Sequence, residues 1–376
     1  MQYRTLGKTG TKVSALGFGA MRLPTRGSES DVDEARAVEM IRYAIDHGVN
    51  YVDTAYVYHG GNGEGVVGKA LADGYREKVH LATKLPVWDV NRRADCDRFL
   101  QEQLRRLQTE QIDFYLLHCL QRKSWQRMRE LGVLEWAEQV QAEGRIRRFG
   151  FSFHDTCEAF VEIVDGYDWS FCQIQYNYVN EDVQAGTKGL RYAAAKGLGV
   201  IVMEPLFGGT LANPPQPVWE IWNDNHHRYR PADVALRWLW DKPEVSLVLS
   251  GMSNLEQVRQ NIDSARRSGV GSLDESEATV LARVQKEYAK LSPIPCTKCG
   301  YCVPCPNGVA IPVNFELYNN ATVFQGNSIV LCRNLYNSLP AAQRASACLE
   351  CGICEEKCPQ RIRIGEMLGR VRKQFP

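Results

Sequence analysis

Short apolar runs alternate along this chain with longer segments whose apolar positions recur every three or four residues, and the alternation begins at Val13. A two-residue period rich in β-branched and aromatic residues reads as strand, and a 3.6-residue period reads as helix. The strand-like runs are Ala15–Gly19, Tyr51–Asp53, Val79–Lys84, Ile112–His118, Ile146–Phe151, Phe171–Gln175, Val200–Met203 and Val245–Leu249. Helix-length stretches lie between them. One spans Asp33 to His47, with Val38, Ile41 and Ile45 at helical spacing, Asp31 and Glu34 in the pattern of an N-terminal cap and Gly48 at its end. Another, Arg98–Leu107, keeps Leu100, Leu104 and Leu107 on one face. Eight β–α units in about 250 residues predict an α/β fold, a (β/α)8 TIM barrel of parallel strands ringed by helices. The rival is an open doubly wound sheet, which calls for Gly-x-Gly-x-x-Gly after its first strand, and none stands there.

Both ends of the alternation are marked. Leu6-Gly7-Lys8-Thr9-Gly10, between two short strand-like runs, predicts a hairpin ahead of the barrel. Leu291-Ser292-Pro293-Ile294-Pro295 ends the last helix, because prolines cannot continue one. The expected organisation is a barrel domain over residues 1–291 and a small second domain over residues 292–376.

Barrel chemistry gathers where strands end, at their C-terminal side. Asp53, Lys84 and His118 end the second, third and fourth strands, neighbours about 4.8 Å apart. Alternation puts Tyr51 with Asp53, Ala82 with Lys84, and Phe114 and Leu116 with His118 on one face. Tyr58 follows five residues after Asp53 and is placed to fold over the other three. Such a set suits the addition of hydride to a carbonyl, whose developing alkoxide needs a proton donor. A phenol with a pKa of about 10 is a poor donor at neutral pH, and a nearby Lys84 ammonium held by Asp53 is expected to lower that pKa. Taken singly, each residue also reads as structural: an ion pair, a packed tyrosine, a hydrogen-bonded histidine. Their convergence on three consecutive strand ends argues for the joint reading.

Asp53-Thr54-Ala55-x-x-Tyr58, Ala82-Thr83-Lys84, Ile112-Asp113-x-Tyr115-Leu116-Leu117-His118 and the hairpin-like start resemble the aldo-keto reductase family over residues 1 to about 265. The resemblance implies a catalytic tetrad of Asp53, Tyr58 as general acid, Lys84 and His118. It also implies an extended nicotinamide dinucleotide. The positions carried over for the cofactor are Ala20 and Met21, then Ser152 and Gln173 for the carboxamide, and Glu204, Pro205 and Leu206 on the pyrophosphate side. Gly251, Ser253, Gln257, Gln260 and Asn261 fall at the adenosine end. Phe153 stands where the family often has Asn, and Met203 where an aromatic usually stacks on the nicotinamide. Gln257 replaces a frequent arginine for the 2′-phosphate, so NADP follows from family habit and NAD stays open. Trp88, Trp125, Trp219, Trp222, His226 and His227 follow strand ends and read either as substrate-pocket walls or as loop packing.

Charge adds an exclusion. Lys plus Arg number 45 against 44 Asp plus Glu, so no excess of charge points to nucleic acid or an anionic membrane. No apolar run approaches the ~20 residues of a spanning helix, and the opening residues lack a secretory pattern. The expectation is a cytoplasmic protein acting on a small-molecule carbonyl or alcohol.

Thirteen cysteines are many for that compartment. Cys96, Cys119, Cys157, Cys172 and Cys332 are single and read as small hydrophobes. The other eight form Cys296-x-x-Cys299-x-x-Cys302-x-x-Cys305-Pro306 and Cys348-x-x-Cys351-x-x-Cys354-x-x-x-Cys358-Pro359, with Gly300 answering Gly352 and Val309-x-Ile311 answering Ile362-x-Ile364. Two halves of one ferredoxin-like, α-helical module are implied. By the two-cluster ferredoxin pattern, Cys296, Cys299, Cys302 and Cys358 hold one [4Fe–4S] cluster, and Cys348, Cys351, Cys354 and Cys305 hold the other. Zinc is the rival, disfavoured because a third cysteine so close behind a knuckle suits a tetrahedral ion poorly. Similar tails occur on a subgroup of aldo-keto reductase-like proteins. The clusters then either pass electrons to a redox partner protein or brace the tail. An alternative to the reductase is an electron-relay subunit whose barrel only docks.

Overall fold

The computed structural model describes residues 1–224, 230–296, 300, 302–323, 327–358 and 361–376. Cys299, Pro359, His226 and His227 therefore lie outside the described residues. The chain divides into two compact units, Met1–Pro205 with Ala235–Leu273, and Leu206–Val234 with Asp274–Pro376.

The first unit opens with the expected hairpin, β1 (Tyr3–Thr5) antiparallel to β2 (Lys12–Ser14). Alternating strands and helices follow: β3 (Leu16–Gly19), α1 (Glu34–Asp46), β4 (Tyr51–Asp53), α2 (Gly63–Ala70), β5 (His80–Leu85), α3 (Arg93–Leu107) and β6 (Ile112–Leu120). Then come α4 (Arg122–Glu130), α5 (Val133–Ala142), β7 (Ile146–Phe153), α6 (Cys157–Asp165), β8 (Phe171–Gln175), α7 (Gly186–Ala195) and β9 (Gly199–Met203). Past α8 (Gln216–Asn223) and α9 (Pro231–Trp240), β10 (Leu247–Gly251) and α10 (Leu255–Arg266) complete the alternation. Strands β3 to β10 form a closed parallel barrel in which β10 returns to β3. The (β/α)8 expectation is met.

Period two decides which side chains fill the barrel. Tyr51, Ala82, Phe114, Leu116, Phe171, Ile201, Leu247 and Leu249 form one buried cluster, with Leu6 and Val13 supplied by the hairpin segment. Each leucine, isoleucine, valine or phenylalanine of the cluster contributes roughly 1.5–3 kcal/mol through removal from water. Gly150 belongs to the same inward column because there is no room for more: a Cβ there would lie 2.5 Å from the Phe171 carbonyl oxygen and 2.6 Å from its ring.

Two helix starts differ from the sequence reading. The cap of α1 is Asp33, whose carboxylate accepts from the Arg36 amide, while the Asp31 carbonyl is engaged by the Arg26 amide in the preceding turn. Helix α3 starts at Arg93, five residues before the apolar face becomes visible. Its polar first turn is held by Asp95, whose Oδ2 accepts from the amides of Asn91 and Arg92 at 3.0 and 3.1 Å.

In the second unit α8 packs on α11 (Glu275–Leu291), which ends at the expected linker. Helices α12 (Ile311–Val323) and α13 (Asn327–Ser338) pack together, and α15 (Ile364–Gln374), beyond the short α14 (Ile353–Glu356), packs on α12. Asn319 ties the linker to α12 by accepting from the Ile294 amide at 3.0 Å and donating to its carbonyl at 2.7 Å. Among the described residues no helix is long and apolar enough to cross a membrane.

Candidate active site

Neighbouring strands β4, β5 and β6 bring Asp53, Lys84 and His118 together at the C-terminal mouth of the barrel. The Lys84 ammonium, fully buried, donates to Asp53 Oδ1 at 2.6 Å, to the Thr54 carbonyl at 2.7 Å and to Tyr58 Oη at 3.3 Å. Tyr58 stands at the start of a turn over the strand ends, its ring edge-on to His118 with centroids 6.0 Å apart. The turn is pinned at His59, whose Nε2 and Nδ1 lie 3.0 and 2.9 Å from the carbonyls of Ala20 and Glu29. Behind β5, Gln103 donates to the Lys84 carbonyl at 3.0 Å and to the buried Glu64 at 2.9 Å, and Glu64 also accepts from Thr83 at 2.7 Å. This buried network fixes the strand from which Lys84 projects.

Burial and Lys84 pull in opposite directions on the proton donor. Burial pushes the Tyr58 phenol up to about 12, while Lys84 draws it down. The expected lowering by Lys84 is therefore present but outweighed, because the phenolate loses more solvation than one neighbouring ammonium returns. Burial also disfavours the Lys84 ammonium, yet Asp53 and Tyr58 outweigh it and hold Lys84 above its ordinary value. Lys84 is thus charged. Burial, with Lys84 and then His154 adding to it, holds His118 well below 6.5, so this imidazole is neutral. Its Nδ1 is buried without a hydrogen-bond partner among the described residues.

Ser152 and Gln173 face each other in register across β7 and β8, both buried. Ser152 Oγ accepts from the Cys119 amide at 2.8 Å, and Gln173 Nε2 donates to Met203 Sδ at 3.4 Å. Gln173 Oε1 is buried without a partner among the described residues, an orphan acceptor of the kind a carboxamide would satisfy. A nicotinamide fits these residues. Ala20 is buried and Met21 exposed at the end of β3, and Glu204 takes a positive φ of 54° just after β9. Pro205 closes the first unit, and Leu206 begins the second. At β10, Gly251 and Ser253 are exposed. Gln257 Oε1 accepts from the Ser253 amide and hydroxyl at 2.8 and 3.2 Å, which orders the loop before α10. Asn261 donates to Ser250 Oγ at 2.9 Å, and Gln260 to Glu256 at 2.9 Å, so these two amides already have protein partners.

Arg22 was not singled out by its sequence. Its side chain lies across Gly251, where a Cβ would stand 2.8 Å from Arg22 Cγ. The only sequence signal was a basic residue three positions past a strand-end glycine. Of the aromatic loop residues, Trp88 is exposed and lies 5.1 Å from the His118 ring, a pocket-wall position. Trp125 is fully buried against Trp169 at 5.6 Å and is packing. Trp219 is exposed and Trp222 buried, both on α8 in the second unit.

In the tail, Cys354 has Cys305 and Cys348 as electrostatic neighbours, both raising its pKa after burial. Cys305 of the first set and Cys354 of the second are therefore electrostatic neighbours. The Glu350 amide donates to Cys348 Sγ at 3.4 Å, and Gly300 and Gly352 take matching positive φ values of 80° and 77° in the two halves of the repeat. Among the described residues no three Cys, His, Asp or Glu side chains converge on a single metal ion.

The sequence model of the aldo/keto reductase family matches residues 15–275, and that of a 4Fe-4S dicluster domain matches residues 295–362. Uncharacterized oxidoreductase YrpG of Bacillus subtilis (strain 168) is 28% identical over 310 residues, covering 71% of this chain and 92% of YrpG. L-galactose dehydrogenase of Arabidopsis thaliana is 28% identical over 282 residues, covering 70% and 87%. Among solved structures, an aldo-keto reductase from Klebsiella pneumoniae in complex with NADPH is 27% identical with a TM-score of 0.60, covering 76% of this chain and 96% of that one. This chain belongs to the aldo/keto reductase family and carries a 4Fe-4S dicluster domain at its C-terminal end.

Proposed function

We propose that the protein is an NAD(P)H-dependent oxidoreductase that interconverts a carbonyl compound and its alcohol, with Tyr58 as general acid. The observation that carries the reading is the Lys84 ammonium bonded at once to Asp53 and Tyr58 beside a neutral His118. The bound nicotinamide supplies the hydride. Tyr58 Oη gives its proton to the carbonyl oxygen as charge develops there, and the phenolate left behind is stabilised by Lys84, which Asp53 keeps charged and in place. His118, neutral, donates a hydrogen bond to the carbonyl oxygen and orients it. The overall step adds a hydride and a proton across the C=O bond.

Ser152 and Gln173 hold the carboxamide, Gln173 through its orphan Oε1. Ala20, Met21, Glu204, Pro205 and Leu206 line the nicotinamide and pyrophosphate path, with Arg22 facing the phosphates. Gly251, Ser253, Gln257, Gln260 and Asn261 form the adenosine end, where the α10 N-terminus suits a phosphate. NADP is the favoured nucleotide, by family habit and as in the Klebsiella relative's complex, with NAD left open. The barrel domain runs over residues 1–291 and the dicluster domain over 292–376, the latter holding two [4Fe–4S] clusters on the crossed cysteine sets. The protein works in the cytoplasm. An anaerobic assay of NADPH and NADH oxidation by cluster-loaded protein against a panel of aldehydes and ketones tests the reading. Carbonyl-dependent oxidation is expected, and its absence with every carbonyl and both nucleotides overturns it.

A further inference from the structure

The tetrad leaves one imidazole at the barrel mouth without a task. His154 follows directly on Phe153, which pairs with Leu120 of β6, and its amide donates to the Leu120 carbonyl at 3.2 Å. Alternation from Gly150 and Ser152 carries His154 to the inward side of β7, one residue pair above Ser152. It is near enough to His118 for the two rings to interact electrostatically. The backbone on its far side is held as well, since Gln121 donates to the His154 carbonyl at 3.1 Å.

The ring itself is oriented by a chain of two amides. Gln184 Nε2 donates to Gln175 Oε1 at 2.9 Å, which leaves Gln184 Oε1 to accept from His154 Nδ1–H at 3.1 Å. Gln175 is the last inward residue of β8, two along from Gln173, and Gln184 is held in the following loop at a positive φ of 57°. A neutral histidine that donates from Nδ1 presents a bare lone pair at Nε2. Burial keeps this ring below its ordinary pKa, which supports the neutral form. No hydrogen bond within the described residues uses Nε2. Two buried or half-buried glutamines spent on fixing one acceptor at a reaction centre are more than packing needs, because an apolar side chain would fill the same space without polar groups to satisfy.

We propose that His154 is a substrate-specificity residue whose Nε2 accepts a hydrogen bond from a hydroxyl of the substrate. Gln184 and Gln175 are the positioning residues behind it. The strand spacing of about 4.8 Å between β6 and β7 sets the reach, matching a hydroxyl on the carbon next to the carbonyl or one beyond. The substrate class is therefore a hydroxylated aldehyde or ketone in preference to its deoxy counterpart. The inference rests on the carbonyl-reductase reading of the same site.

The test compares glyceraldehyde with propionaldehyde, using NADPH and the full cluster-loaded chain under anaerobic conditions. Wild type should favour glyceraldehyde. His154→Phe should lower the glyceraldehyde-to-propionaldehyde ratio of kcat/KM by roughly five- to tenfold, the worth of one neutral hydrogen bond, and mainly through KM. Gln184→Leu should move the ratio the same way by less, and His154→Gln should restore part of it. An unchanged ratio in His154→Phe, or equal losses on both compounds, overturns the proposal. A second readout stands apart from turnover. In protein labelled with 15N-histidine and loaded with NADP⁺, glyceraldehyde should shift the His154 Nε2 resonance and propionaldehyde should not; no shift with glyceraldehyde overturns the proposal too. If wild type reduces neither compound, the reductase reading is decided by the wider carbonyl and nucleotide panel, and the resonance decides separately whether His154 binds a hydroxyl.

Discussion

At the scale of single residues, Tyr58 is in a position that only its neighbours make useful. Removing its hydroxyl in Tyr58→Phe leaves the ring packed against His118 but takes away the donated proton, so carbonyl reduction should fall by about 10²–10⁴, the usual worth of a positioned acid, with nucleotide binding retained on fluorescence titration. Retention of full activity would remove Tyr58 from its role. The pH dependence has a definite sign. The folded pKa of about 12 lies above the ordinary 10.0, so the phenol keeps its proton throughout the neutral range. His118, held well below 6.5, is neutral over the same range. The pH–rate profile for reduction should therefore be flat from about pH 6.5 to 10, and a limb falling with a midpoint near pH 8 would contradict the roles given to these two groups. The same shift makes a stability statement: folding favours the protonated phenol, so that contribution is fully present below pH 10.0 and is lost as the pH rises toward 12. These residues were legible in the sequence because strand ends and alternation are local. The net direction of the Tyr58 shift was not, because burial depends on everything that closes over the site.

At the scale of elements, the strands were easier to read than the helix starts, and the reason is the period. A buried barrel strand shows its apolar set within a few residues, so Tyr51–Asp53 and Phe171–Gln175 have the bounds their sequence suggests. A helix shows its face only once an apolar turn has passed, which is why the polar opening of α3 was hidden. Gln184 and Gln175 were invisible for a different reason: nothing in the sequence joins a strand-end glutamine to one in the following loop, and only the fold brings the pair to His154. Gly150 likewise carries information that appears only in register. Gly150→Val should force β7 and β8 apart at Phe171 and cost about 1–3 kcal/mol, as overpacking does. Because Ser152 and Gln173 are the next inward pair on these strands, the same variant should also weaken NADPH binding. A thermal melt with a parallel nucleotide titration checks both, and a variant that melts lower yet binds NADPH as wild type does would separate the strand pair from the cofactor.

On the scale of the whole molecule, an aldo/keto reductase domain and a 4Fe-4S dicluster domain share a chain, and no flavin-binding signature in the sequence joins hydride transfer to one-electron transfer. Whatever couples them, the clusters must first be held as the repeat implies. The three-residue rhythm of the cysteines was plain in the sequence, whereas the proposed exchange of the fourth ligand between halves follows only from the two-cluster ferredoxin pattern. The neighbourhood of Cys354 with Cys305 and Cys348 is what supports that exchange, since Cys305 stands far from both in sequence. An uncrossed arrangement would pair Cys305 with Cys296, Cys299 and Cys302 instead. The two arrangements predict different damage from one substitution. Anaerobically prepared wild type should contain about eight irons and eight sulfides per chain, four of each for each cluster. Cys305→Ser should disturb the cluster held by Cys348, Cys351 and Cys354, taking the iron toward about four. Adding Cys351→Ser to it should then cost little more iron, because both changes strike the same cluster. Adding Cys296→Ser should remove most of the remainder. If Cys305→Ser and Cys296→Ser prove to be the redundant pair instead, the ligands are not exchanged and each half of the repeat closes its own cluster.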